Sequence, residues 1–330
     1  MVPIRFVQEA REKGRPLPQS EAGWYLTDGG IETVLIYQEG VELPEFAAFV
    51  LLESAEGRDQ LRRYYRRYLD IAAATKEAGF ILESPTWRAG FNWGARLGHS
   101  AEAMQRLNAT AVQFMQELRA EYASRIAGPI VVSGCVGPRG DGYLADGDLR
   151  AEGAQRAHQP QVDALAAAGA DLITAITMTT SDEAIGVARA ATQARVPVAV
   201  SFTVETDGRL PNGMHLREAI ETVDGDASEQ GFKPPAYYMI NCAHPTHFAL
   251  VLAEGGAWRD RIRGVRANAS TRTHAELDAM TELDAGDPAD LAGHYCRLRT
   301  SLRNLNILGG CCGTDHRHVE AISKLWQTVH

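Results

Sequence analysis

Short apolar runs alternate along this chain with longer stretches of helical character, and the alternation repeats eight times. The candidate strands are 23–29, 80–84, 130–135, 171–177, 198–204, 237–242, 262–267 and 305–309. Between and after them lie the helical segments 60–78, 101–126, 152–168, 181–194, 216–230, 245–254, 288–303 and 316–329. In 60–78 the residues Leu61, Tyr64, Tyr65, Tyr68, Leu69 and Ala72 recur at the spacing of one helix face. Strand then helix, eight times over, predicts an α/β fold: a (β/α)₈ TIM barrel in a single domain. A length of 330 residues and a hydrophobic fraction of 45% suit one large core. A doubly wound sheet would use fewer strands, and no Gly-x-Gly-x-x-Gly or P-loop follows a strand here. Residues 1–21, with Pro16 and Pro18, read as an N-terminal arm, and 22–330 as the barrel. Gly79, Gly169 and Gly128-Pro129 stand where helices hand over to strands, as C-terminal capping predicts.

In such a barrel the carboxyl ends of the strands share one rim, where active sites are built. The conspicuous residues fall there: Asp28-Gly29-Gly30, Glu83-Ser84-Pro85-Thr86-Trp87, Gly134-Cys135-Val136-Gly137-Pro138, Glu205, Cys242, Asn268 and Cys311-Cys312.

The adjacent Cys311 and Cys312, inside Gly309-Gly310-Cys311-Cys312-Gly313-Thr314, make a poor disulfide with each other, because neighbouring alpha carbons sit too close. They are well placed to put two thiolates on one metal, with Cys242 in Asn241-Cys242-Ala243 as a third. Three cysteines at strand ends point to a Zn²⁺-thiolate site with one open position, the mark of a catalytic zinc site. The flanking glycines let the backbone approach closely. Three thiolates leave the assembly anionic, which favours binding and acidifying a substrate thiol over making hydroxide; the chemistry indicated is alkyl transfer to sulfur. Five cysteines give an odd count with no disulfide framework, as suits a reducing cytosol. Cys135 and Cys296 read as buried small hydrophobes. A mixed Cys/His set using His244 or His247 is the alternative; otherwise His244 lines the pocket and His247 opens a solvated helix. His316 and His318 read as surface residues.

Together, Asp28-Gly29-Gly30, Gly137-Pro138, Val200-Ser201-Phe202-Thr203 with Gly208-Arg209-Leu210, Asn241-Cys242 and the 309–314 motif resemble the homocysteine S-methyltransferase family over roughly residues 22 to 328. The resemblance implies Zn²⁺ held by Cys242, Cys311 and Cys312. It further implies a homocysteine sulfur in the fourth position and methyl transfer from a sulfonium (S-methylmethionine or S-adenosylmethionine), a betaine or a folate, giving methionine. Many members carry a glutamate at the end of strand four that binds the homocysteine amino group; Ile176 stands at the matching place here, which leaves the thiol acceptor open. Glu83 is a candidate replacement, its alternative being a rim ion pair. Asp28 is a candidate for amine contact or for support of the metal ligands, against a plain turn-forming role. Asp28 and Glu83 are thus the candidate catalytic residues. Asp28, Gly29, Gly30, Glu83, Trp87 and Asn268 are the candidate substrate contacts. Trp87 matches the place where betaine-using relatives keep an aromatic, which suits a methylated cation, while Phe91 and Trp93 read as loop packing. The loop Arg139-Gly140-Asp141-Gly142-Tyr143 is a candidate cover for the donor, and Arg266-Ala267-Asn268-Ala269-Ser270 offers polar groups for a carboxylate.

A net charge of -9 argues against nucleic acid or anionic lipid as partner. Met1-Val2-Pro3-Ile4-Arg5-Phe6 soon gives way to Glu9, Arg11, Glu12 and Lys13, without the apolar core of a signal peptide. No run approaches the roughly 18 apolar residues of a membrane helix. The expectation is a cytoplasmic methyltransferase that acts on a small thiol and a small methyl donor. The arm could reach a second subunit of a homo-oligomer. Two rival readings are a zinc hydrolase or lyase using Glu83 or His244 as base, and a non-catalytic zinc- or thiol-binding barrel.

Overall fold

The computed structural model describes residues 17–21, 23–280 and 282–329. Most of the expected arm, residues 1–16, lies outside that set. Eight parallel strands close into one barrel in sequence order: β1 Trp24–Leu26, β2 Ala78–Glu83, β3 Ile130–Val136, β4 Leu172–Met178, β5 Val198–Thr203, β6 Tyr237–Asn241, β7 Ile262–Ala267 and β8 Ile307–Gly310. Closure is made by β1, whose Tyr25 stands opposite Gly79 on one side and Ile307 on the other. The helices are α1 Pro18–Glu21, α2 Ala55–Ala74, α3 Phe91–Arg96, α4 Ala101–Tyr122, α5 Ala151–Ala167, α6 Ser181–Gln193, α7 Leu216–Gln230, α8 Pro245–Ala253, α9 His274–Asp278, α10 Pro288–Leu298 and α11 His316–Val329. This is the single-domain TIM barrel expected. No helix among the described residues is long and apolar enough to cross a membrane.

Strand alternation builds two separate apolar layers. Phe80, Leu82, Val132, Ile173, Val200, Phe202, Ile240 and Leu308 pack outward against the helices. Tyr25, Ile81, Val131, Leu172, Ala199, Tyr237, Met239 and Ile307 fill the barrel interior. Leu17 joins that interior layer, and Gln19 Nε2 on α1 donates to the Tyr237 hydroxyl at 3.2 Å. Residues 17–21 of the expected arm therefore close the amino-terminal mouth of their own barrel. Above this floor the inward positions turn polar. Ser133 and Thr174 hydroxyls meet at 2.7 Å, and Ser201 Oγ donates to Asn241 Oδ1 at 2.6 Å.

Several boundaries differ from the sequence reading, each for a local reason. Helix α2 begins five residues before 60, because Ser54 caps it by accepting from the Gly57 N–H at 2.9 Å. Its first turn is polar and carries no periodic signal. The same helix stops at Ala74, so Gly79 is a strand residue of β2 and not a helix cap. Helix α4 ends at Tyr122 and α10 at Leu298, both earlier than expected. The short helices α3 and α9 fall within segments read as loops.

One buried ion pair ties the helix layer to the sheet. Arg119 of α4 donates to Asp171 Oδ2 at 2.7 Å, and the same oxygen accepts the Val132 N–H at 2.9 Å. Both side chains are about 95% or more buried. Removing one partner strands the other charge, which costs about 3–5 kcal/mol. Asp171→Ala is expected to lower unfolding free energy by roughly that amount in urea titration; a change within about 0.5 kcal/mol would show the pair to be dispensable.

Candidate metal centre and its cavity

Three backbone arrangements bring the sulfurs together. Cys242 follows β6 with φ 51°, in the left-handed region that a side-chain-bearing residue occupies only when its surroundings hold it there. Its carbonyl accepts from Asn268 Nδ2 at 3.0 Å and from His274 Nε2 at 2.6 Å, and its N–H donates to the Arg266 carbonyl at 3.1 Å. His274 is in turn held at Nδ1 by Glu205, 3.1 Å away. Cys311 follows β8, its N–H bonded to the Ala267 carbonyl at 2.8 Å. Its own carbonyl lies so close to Gly30 that a Cβ there would sit 2.6 Å from the oxygen, so only glycine fits. Gly313, at φ 79°, turns the chain after Cys312, and its N–H is caught by Thr33 Oγ1 at 3.0 Å.

The sulfurs of Cys242, Cys311 and Cys312 all lie within 4.8 Å of one another. Cys242 and Cys311 are paired sulfur to sulfur, with alpha carbons 5.4 Å apart, where the sequence reading expected free thiolates. Cys312 Sγ lies 4.0 Å from Cys242 Sγ. Thiolates placed about 2.3 Å from a tetrahedral zinc stand roughly 3.8 Å apart, so a cluster of this size fits one thiolate-bound ion once the pair is reduced. Hydrogen-bonding groups already face two of the sulfurs. The Tyr143 hydroxyl is 3.1 Å from Cys312 Sγ, and Asn241 Nδ2 is 3.9 Å from Cys311 Sγ. Burial pushes the Cys312 thiol up to about 11. Without a cation it stays protonated at neutral pH, whereas a coordinating ion reverses that preference.

A cavity of about 290 Å³ opens over the sulfurs, lined among others by Asp28, Gly29, Gly30, Glu83, Trp87, Tyr143 and Ile176. Its charged core is a cluster of buried groups. Arg266 Nη2 donates to Asp28 Oδ1 at 2.7 Å and its Nε to the Gly310 carbonyl at 3.0 Å, while the Tyr64 hydroxyl donates to Asp28 Oδ2 at 2.8 Å. Burial works against the Arg266 guanidinium, but the Asp28 and Glu83 carboxylates beside it more than offset this and push its pKa up. Burial pushes the Glu83 carboxyl up to about 7, against the pull of Arg266 and of hydrogen bonds from Ser133 and Thr174. Glu32, in the cavity lining, is likewise pushed up to about 7 by burial. Glu83 Oε2 is buried with no hydrogen-bond partner.

Of the expected substrate contacts, Asp28, Gly29, Gly30, Glu83 and Trp87 share this cavity. Asn268 does not line it; its Nδ2 donates to the Cys242 carbonyl, while its Oδ1 is buried with no hydrogen-bond partner among the described residues. Trp87 carries the Arg88 guanidinium over its ring at 4.0 Å, so a cation of the protein itself already covers the aromatic kept for a methylated donor. Trp93 is a packing residue as expected but sits on helix α3, its Nε1 donating to the Pro138 carbonyl at 3.1 Å. Cys135 is buried as expected, and Cys296 lies mid-helix. His244 caps α8 instead of lining the cavity. His247 is buried and bonded through Nε2 to the Thr271 carbonyl at 2.9 Å, and His318 is fully buried beside Asp315. Three contributors escaped the sequence reading: the Cys242 support from His274, the Tyr64 hydroxyl on Asp28, and Tyr143 against Cys312. Tyr143 lies in the loop read as a cover and Tyr64 on a periodic helix face, but their polar partners had no sign in the spacing; the helix of His274 is marked by the Thr273–Glu276 capping box.

A family model described as homocysteine S-methyltransferase matches residues 25–326. A selenocysteine Se-methyltransferase from Brassica oleracea var. italica is 24% identical over 333 residues, covering 94% of this chain and 91% of its own length. A homocysteine S-methyltransferase from Escherichia coli strain K12 is 29% identical over 315 residues, covering 90% and 93%. Crystal structures of an Escherichia coli homocysteine methyltransferase share the fold. The oxidized form gives a TM-score of 0.72 at 22% identity, covering 92% of this chain and 96% of the other. The metallated form gives 0.68 at 23%, with the same coverage.

The raised Glu83 carboxyl has a consequence for stability. The folded protein keeps a proton there that the unfolded chain releases between pH 4.5 and about 7. Stability therefore falls as pH rises through that window. Glu83→Gln is expected to remove the Glu83 share of this slope, on the order of 3 kcal/mol, leaving the shares of Glu32 and Asp28, whose carboxyls burial also raises. Urea midpoints at pH 5 and pH 8 measure it, and equal slopes in wild type and variant would refute it.

Proposed function

The chain belongs to the homocysteine S-methyltransferase family, and we propose that it transfers a methyl group from a small donor to the thiol of homocysteine or a close analogue, with Zn²⁺ held by Cys242, Cys311 and Cys312. The observation that carries the reading is the meeting of three sulfurs from two distant rim loops in one cavity, in a chain of this family. A thiolate-bound zinc ion lowers the pKa of an incoming thiol and holds its sulfur in place. The donor loses its methyl group and leaves as a neutral thioether or amine; the acceptor becomes a thioether.

The remaining roles fall to the chain's own residues. Glu83, with an unpartnered carboxylate oxygen in the cavity, receives the acceptor's amino group in place of the glutamate that Ile176 replaces. Asp28 is engaged by Arg266 and Tyr64, so its part is to shape that anionic corner while the adjacent Gly29 and Gly30 let the sulfur loop approach. Tyr143 covers the cavity from the β3 loop, stacked on His274 at 4.1 Å, and orients Cys312. Trp87 and its Arg88 partner wall the donor side. The cavity, about 290 Å³, is of the size of a small-molecule cleft. The match to a selenocysteine Se-methyltransferase makes a selenol the analogue to assay beside homocysteine.

Two outcomes test the reading. Under reducing conditions Cys312→Ser should lose both bound zinc and methyl transfer, the latter by about 10³-fold or more. Full transfer by the variant would end the proposal. Tyr143→Phe should keep zinc but lower kcat by about 10- to 100-fold, as loss of support to a metal ligand does; zinc content and kcat measured together separate the two effects.

A further inference from the structure

A second cluster of metal-ligating side chains stands on the helix side of the same rim. His244 caps α8, and its Nδ1 lies 2.8 Å from Thr246 Oγ1; among the described residues no hydrogen bond engages Nε2. Asp290 and His294 are one turn apart on α10, on one face of that helix, with Oδ2 and Nε2 separated by 3.5 Å. The His244 and His294 rings meet edge to face with centroids 4.8 Å apart. One ligand atom from each of the three residues lies within 4.8 Å of the others. None of the three lines the cavity over the cysteines.

We propose that His244, Asp290 and His294 form a second site for a divalent transition metal, separate from the three sulfurs. Donors about 2.0–2.1 Å from a tetrahedral zinc stand roughly 3.4 Å apart, and the Asp290–His294 pair is already at that spacing. Two imidazoles and one carboxylate suit Zn²⁺ and its neighbours, not Ca²⁺ or Mg²⁺, which take oxygen ligands. Asp290 is mostly exposed, so solvent reaches the site and fills the remaining positions. Among the described residues Asp290 has no ion-pair partner except His294, while the Arg297 guanidinium lies near enough to disfavour the protonated form of both imidazoles. His247, beside His244, is committed to the Thr271 carbonyl and stays outside the set. An ion here joins the start of α8 to α10. The cap residue His244 follows Cys242 by two residues, so the ion would stiffen the loop that presents that sulfur without touching it.

The site is tested by titrating metal-free, reduced full-length protein with Co²⁺ and following absorption. Thiolate ligation produces strong sulfur-to-cobalt charge transfer, whereas imidazole and carboxylate ligation produce only weak visible bands. Wild type should bind about two equivalents, one of each spectral kind. Asp290→Asn, a change at an exposed position, should weaken the second kind by about tenfold or more and leave the charge-transfer band intact. His294→Ala should abolish it, with circular dichroism confirming the fold. Wild type that binds cobalt only with charge transfer, or variants that keep wild-type stoichiometry and affinity, would overturn the proposal. Loss of the charge-transfer band alone counts against the sulfur site and leaves this one standing.

Discussion

Arg266 and Asp28 form an ion pair buried where β7, β1 and β8 end together, and the geometry of the rim hangs on it. The guanidinium reaches Asp28 on the β1 loop, the Gly29 carbonyl beside it, and the Gly310 carbonyl on the β8 end. Taking two such charges out of water costs several kcal/mol each before their attraction is counted, so a pair of this kind is seldom a gain in stability over apolar packing. What it adds is a link between strand ends that the backbone ladders already place side by side, at the point where the loop carrying Cys311 and Cys312 lies beside the loop carrying Gly29 and Gly30. Tyr64 from α2 completes the set by holding the other Asp28 oxygen.

The sulfur cluster is strained on one side and supported on the other. Cys242 sits in a left-handed conformation that costs of order 1–3 kcal/mol, and it is held there by a relay from Glu205 through His274 to its carbonyl, with Asn268 on the same oxygen. The cysteines on the β8 loop are held from the other direction by Thr33, Thr314 and the close glycines. The sulfurs converge because each loop is fixed independently by buried hydrogen bonds. Above the cavity, Tyr143 and His274 stack, joining the β3 loop to the support of Cys242.

The barrel is legible in the sequence because each strand is a short apolar run bounded by glycine or a polar turn, and each helix carries a periodic apolar face. The three cysteines are equally legible, since adjacent thiols between glycines leave few structural uses. Tertiary partners are what sequence spacing hides. Asn268 reads as a polar group for substrate, but it stands outside the cavity lining, with its Nδ2 donating to a backbone carbonyl 26 positions earlier. His318 reads as a surface residue opening a helix, yet Asp315 and the Ala285 carbonyl bury it. Trp87 reads as an open aromatic face, and the very next residue, Arg88, folds back over it. Helix starts are missed where the first turn is polar, as at Ser54, because capping contributes energy without periodicity.

The pairing of β1 with β8 bears on how such a protein is made. Tyr25 and Ile307 become neighbours only after nearly all the intervening chain has been synthesised and folded back. Cys242, Cys311 and Cys312 meet at that same moment, since the loop after β8 has no fixed place until the barrel shuts. During synthesis Cys242 is a solitary thiol, unable to hold an ion by itself. Assembly of the three-sulfur cluster is thereby deferred until the barrel closes, and a chain stalled before β8 lacks two of its three sulfurs.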